Sequence, residues 1–141
     1  MNKLKDVLCD IKCALESQKK FIALITENFT EDRKTARKKA IEFSVNLGKI
    51  LDEIYQALPL LDKENLIWPY NSLRDCVTRG DFFDLQVSLR VIIQYLSDKE
   101  IILSYESFAD LISRTEVSLY STIKEIEEIL KKVEKKIQKN P

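Results

Sequence analysis

Apolar side chains along the first thirty residues recur in alternating steps of four and three: Leu4, Leu8, Ile11, Leu15, then Gln18, then Ile22, Ile25 and Phe29. This spacing puts them on one face of an α-helix, with Gln18 the single polar member of that face. The pattern predicts a continuous helix from about Lys3 to Asn28. Thr30 reads as the cap of the next helix, with Glu31 and Asp32 suited to the positive end of its dipole.

The second seam is Ala36, Ala40, Phe43, Leu47, Ile50, Ile54 and Ala57, widened by Leu51 and Tyr55, and Pro59 is expected to end it. Gly48 sits inside this run, where glycine costs about 1 kcal/mol relative to alanine; it reads as a tolerated defect or a close helix contact. Residues 58–71, LPLLDKENLIWPYN, carry two prolines and predict the one long connection, with a helical turn of its own from Asp62 to Ile67. Ser72 opens a third stretch through Leu73, Cys76 and Val77. That stretch meets Gly80 and resumes as Phe82, Leu85, Leu89, Ile92 and Leu96, which fits either one kinked helix or two short ones.

Ser97 to Glu100 has the spacing of a capping box. The final seam then runs through Ile102, Tyr105, Ala109, Ile112, Glu116, Leu119, Ile123, Ile126, Leu130, Val133 and Ile137. Short connections make consecutive helices antiparallel neighbours. The expected fold is therefore all-α: one domain over residues 1–141, a four-helix bundle with coiled-coil-like packing. Its third helix is interrupted near Gly80 and its C-terminal helix is long. Ile11, Ile22, Phe43, Leu47, Ile50, Leu89, Ile92, Leu119, Ile123 and Ile126 are expected in one buried cluster. The end of the last helix, at Leu130, Val133 and Ile137, is expected to overhang the shorter third helix. Another part of the chain would cover that stripe, or a second copy would in a homodimer through the C-terminal helix. Lys131, Lys132, Lys135, Lys136 and Lys139 flank it.

Composition sharpens this picture chiefly by exclusion. The 23 basic residues equal the 23 acidic ones, so no global field draws the chain onto nucleic acid or an anionic membrane. There is no histidine, which removes histidine-dependent triads, HExxH metalloproteases and Cys/His zinc fingers. Cys9, Cys13 and Cys76 are too few for a thiolate metal site without histidine and suit free thiols, so the expected compartment is the cytoplasm. The glycines stand alone and form no phosphate-cradling loop, and Arg79-Gly80-Asp81 carries no weight at a helix junction. No apolar run approaches the length of a membrane span. No cofactor, metal or catalytic residue is expected, and the chain is read as a non-enzymatic interaction protein: an adaptor, small chaperone, inhibitor or immunity-type protein.

Two groups of residues are candidates for that role. Trp68, Tyr70, Phe82, Phe83 and Tyr95 cluster in sequence around the interrupted helix, where a concavity in the bundle would receive a protein partner. Arg33, Lys34, Arg37, Lys38 and Lys39 form the most basic window, at a helix start where positive charge opposes the dipole. They give the alternative, a contact with phosphate or nucleic acid.

Overall fold

The computed structural model describes residues 1–97 and 105–139. Six helices appear among these residues: α1 (Asn2–Ser17), α2 (Lys19–Asn28), α3 (Arg33–Lys63), α4 (Ile67–Thr78), α5 (Asp81–Ser97) and α6 (Tyr105–Lys139). They make four arms, since α1 runs into α2 and α4 into α5. Each arm packs on its two neighbours, and the diagonal arms do not come within backbone contact. The Met1 amino group meets Glu64 at 3.6 Å, and Lys5 meets Glu134 at 3.9 Å while Lys12 meets Glu127 at 3.6 Å, so the first arm runs antiparallel to both α3 and α6. The fold is an all-α four-helix bundle, up-down-up-down.

The periodic residues build it directly. Every position of the two seams from Leu4 to Ala57 is buried, and all ten residues expected at the centre belong to one core cluster, but the second seam is not widened as expected: Leu51 is half-buried and Tyr55 is exposed. Gln18 is buried as well, and its side chain explains how a polar group is tolerated there. Its amide donates to the Ala14 carbonyl at 2.9 Å and accepts from Asn46 Nδ2 at 3.0 Å. The first helix is not continuous as expected: the Gln18 N–H bonds the Leu15 carbonyl at 3.0 Å, a tighter turn that separates α1 from α2.

Several boundaries differ from expectation. The cap of α3 is Asp32 rather than Thr30; its carboxylate accepts from the Thr35 N–H at 3.1 Å and the Thr35 hydroxyl at 2.5 Å. The Thr35 hydroxyl, and then its amide, hold the Asp32 carboxyl below the usual carboxylate range. Pro59 does not end the helix. It lies on the exposed face, where the carbonyl it leaves without an amide partner can meet water, while Leu58 and Leu61 beyond the last seam residue are buried. The helix stops at Lys63 instead, with Asn65 in the left-handed region at φ 57°. The Leu66 N–H returns to the Leu61 carbonyl and the Asn65 N–H to the Asp62 carbonyl, both at 3.0 Å, which is a Schellman closure.

The long connection expected at 58–71 therefore shrinks to Glu64–Leu66, and the turn expected from Asp62 to Ile67 is absorbed into the flanking helices. The third arm opens at Ile67, not Ser72; Pro69 falls in the first turn of α4, where an N–H has no helical partner to lose. Residues 72–96 lie in two helices. A Cβ on Gly80 would stand 2.9 Å from the Cys76 Cα, so only glycine lets α5 start this close to α4.

In α6 the expected seam slips by one position at its start. Phe108 and Thr115 are buried while Ala109 and Glu116 are exposed. Phe108 stacks on Phe29 with centroids 3.7 Å apart, and the Thr115 hydroxyl lies 3.0 Å from Ser88 Oγ across the α5 interface. Asp98 to Glu100 of the expected capping box and Ile102 lie outside the described residues. Leu130 and Val133 do not overhang: both are buried and Ile137 is half-buried within the one chain, because α3 and α4 reach further than the prolines implied.

Candidate functional site: the seam between the third arm and α6

The two groups of candidate residues fare differently. Of the aromatic group, Phe82 and Tyr95 are core residues at opposite ends of α5, and Tyr70 is half-buried with Arg74 over its ring at 5.7 Å. Trp68 and Phe83 alone are exposed, so the five do not line one groove.

In the basic window, the Arg33 guanidinium lies over the Tyr95 ring at 4.6 Å, and Arg37 Nε donates to Ser97 Oγ at 2.9 Å. These two arginines tie the start of α3 to the end of α5. Lys39 pairs with Glu42 at 3.2 Å, leaving Lys34 and Lys38 exposed on the outer face.

A different surface stands out. Along the line where the third arm meets α6, three open clefts follow one another and share lining residues. The lowest, of about 530 Å³, has one apolar wall of Leu66, Trp68 and Pro69 and one cationic wall of Lys132, Lys135, Lys136 and Lys139. Those lysines fall in steps of three and one along α6 and so share a face. Lys132 Nζ sits 5.8 Å from the Trp68 ring centroid, and Lys136 donates to the Glu64 carbonyl at the end of α3.

Trp68 also borders the next cleft, of about 630 Å³, which is acidic: Asp75, Asp81 and Glu125 line it, against Arg79 alone. Arg79 pairs with Asp75 at 3.3 Å. Glu125 accepts a hydrogen bond from the Ser72 hydroxyl, and its carboxyl is pushed up by burial and then by the charges of Asp81 and Glu128. Cys76 lies at the back of this cleft. Burial pushes its thiol up to about 11, so it keeps its proton at neutral pH and supplies no thiolate nucleophile.

Asp81 leads into the uppermost cleft, of about 680 Å³, whose apolar lining is Val87 and Val91 one turn apart on α5 and Leu111 and Val117 on α6, beside Asp84 and Arg114. Val87, Val91 and Val117 are 38%, 45% and 64% exposed, and Trp68 is 55% exposed. Four large apolar side chains in water along one continuous seam are more than the scattered singles expected of any surface. Another apolar cleft, between α2 and α3 with Ile41 and Val45, is about 500 Å³ and stands apart from this line.

The seam was only partly visible in sequence. The sequence pattern singles out Trp68, whereas Val87 and Val91 lie off the core face of α5 and Phe83, the other exposed aromatic of that group, lines none of the three clefts. A second apolar stripe at i and i+4, beside the buried one, was the available signal. In sequence the α6 lysines mark only the flanks of the core seam.

Among the described residues no group of three or more Cys, Asp or Glu side chains is placed to hold a metal ion, and no helix is long and apolar enough to cross a membrane. Comparison with protein-family models, with curated proteins and with solved structures finds no match to this chain.

Proposed function

We propose that the chain is a non-enzymatic interaction protein that binds a protein partner along the seam between the third arm and α6. The observation that carries this reading is the continuity of the three clefts: Trp68 and Asp81 each border two of them, so apolar, acidic and cationic surfaces form one strip. Exposed aromatic and aliphatic side chains ringed by charge are the anatomy of an interface. The phosphate-binding alternative at the start of α3 is weaker, because Arg33 and Arg37 are engaged with α5. Three free thiols accord with a reducing compartment such as the cytoplasm.

The test is a photoreactive side chain introduced at Val117, with Val45 on the α2–α3 face as control, in the native host. A discrete protein adduct from position 117, absent from position 45 and removed by Trp68→Ala, is the expected result. No adduct at 117, or the same adducts from both positions, overturns the proposal.

A further inference from the structure

The order of charge along the seam says more than that something binds there. At its foot the lining charges are all lysine, and Lys132, Lys135 and Lys139 project there beside Trp68. In the waist, Asp75, Asp81 and Glu125 outnumber Arg79 by three to one. At the top lie Val87, Val91, Leu111 and Val117, with Asp81 and Asp84 on the third arm and Arg114 on α6 lining the same cleft. The strip is thus positive, then negative, then an apolar patch edged by Asp81, Asp84 and Arg114. From Leu111 to Lys139 it covers about 42 Å of α6 at the rise of an α-helix.

This order selects among occupants. A nucleic acid or other polyanion attracted to the lysines would have to continue across the waist, where its phosphates meet carboxylates. A second copy of this chain fits no better. In a two-fold antiparallel pair the lysine foot of one copy lands on the apolar patch of the other, and in a parallel pair like charges face each other. A helix carrying both signs of charge satisfies all three zones, because a ridge of side chains can enter the groove between two packed helices. Val87 and Val91, one turn apart, offer the matching spacing.

We infer that the seam holds an amphipathic helix of a partner protein with a fixed polarity: its carboxylate-bearing end on Lys132, Lys135 and Lys139, basic side chains over Asp75, Asp81 and Glu125, and apolar side chains on the apolar patch. The inference rests on the seam being the partner surface and adds what the partner is made of and which way it lies. Trp68 reports on it directly, being the sole tryptophan of the chain and half in water at the junction of foot and waist.

The probes are two synthetic helical peptides of about eight turns with the same apolar stripe and the same composition, long enough to span the strip. One carries a glutamate block, then a lysine block, then a neutral end; the other has the two charged blocks exchanged. A twenty-residue oligothymidylate serves as the polyanion. The matched peptide should shift Trp68 emission to the blue and bind at least about ten-fold more tightly than the exchanged one, the difference shrinking as salt rises. The double variant Lys132→Glu, Lys135→Glu should abolish or invert that preference. Equal binding of the two peptides, an unchanged Trp68 emission, tighter binding of the oligothymidylate, or self-association that buries Trp68 overturns the inference. Equal binding of the two peptides with the adduct at position 117 still formed overturns this inference and leaves the partner surface standing; loss of the adduct as well removes the partner surface itself.

Discussion

Arg33 and Tyr95, 62 positions apart, are joined twice: the guanidinium lies 4.6 Å from the ring centroid, and Nη2 donates to the Tyr95 carbonyl at 2.7 Å. The basic start of α3 is therefore a clamp on the end of α5. Replacing Arg33 by alanine should lower unfolding free energy by about 1–3 kcal/mol, the combined worth of a cation–π contact and a charge-assisted hydrogen bond. Lys34→Ala and Lys38→Ala, on the outer face, should each stay within about 0.5 kcal/mol of the parent. Urea denaturation of the three variants checks this; equal losses for all three would deny the clamp.

The two glycines should respond in opposite directions. Nothing lies within 4 Å of a Cβ built on Gly48, which sits in the middle of α3, so Gly48→Ala should stabilise by about 1 kcal/mol. Gly80→Ala pushes a methyl group to 2.9 Å from the Cys76 Cα and should destabilise, with α4 and α5 forced apart. Thermal melts of the pair suffice, and a Gly80→Ala protein as stable as the parent would contradict the close approach.

Glu125 sets a pH dependence. Burial and the neighbouring Asp81 and Glu128 raise its carboxyl in the folded chain. A folded-state value above the unfolded one means that the stabilising contribution is present at low pH and is lost as pH rises through the folded value. Glu125→Gln keeps an acceptor for the Ser72 hydroxyl and removes the charge, so it should raise the melting temperature near neutrality. The gain should vanish below about pH 4, where both states carry the proton. A gain that does not change with pH would assign the effect to packing instead.

Cutting the chain after Glu128 removes Ile129, Leu130 and Val133, all buried in the core. Each such loss is worth roughly 1–5 kcal/mol, against a total stability of about 5–15 kcal/mol. The truncated chain should lack cooperative unfolding by circular dichroism. A folded, monomeric truncated protein would mean that these residues serve self-association rather than the core.

The core was legible because burial follows helical period. The seam positions from Leu4 to Phe29 and from Ala36 to Ala57 are legible one by one and all are buried, whereas Tyr55, read as widening the second, is exposed. What period cannot weigh is competition at the boundaries. Pro59 looked like a stop, yet an exposed proline outside the buried stripe costs less than losing Leu58 and Leu61 from the core. In α6, Ala109 and Phe108 are adjacent, and stacking on Phe29 favours Phe108, a tertiary contact that no local pattern contains.

The same limit applies to the site. Nearness in sequence grouped Trp68 with Phe82 and Tyr95, whereas the fold sends the latter two into the core and brings Trp68 to lysines more than sixty positions away. The seam exists only once the third arm lies on α6.

The central claim is that this seam, and no other face, carries the partner. Calorimetric titration of the partner captured at position 117 into four proteins tests it most directly: the parent, Val117→Asp, Trp68→Ala and Val45→Asp, each first shown to melt within a few degrees of the parent. The account predicts that Val117→Asp and Trp68→Ala each weaken binding at least about ten-fold while Val45→Asp changes it less than about two-fold. Undiminished affinity in the two seam variants, or an equal loss in Val45→Asp, would contradict it.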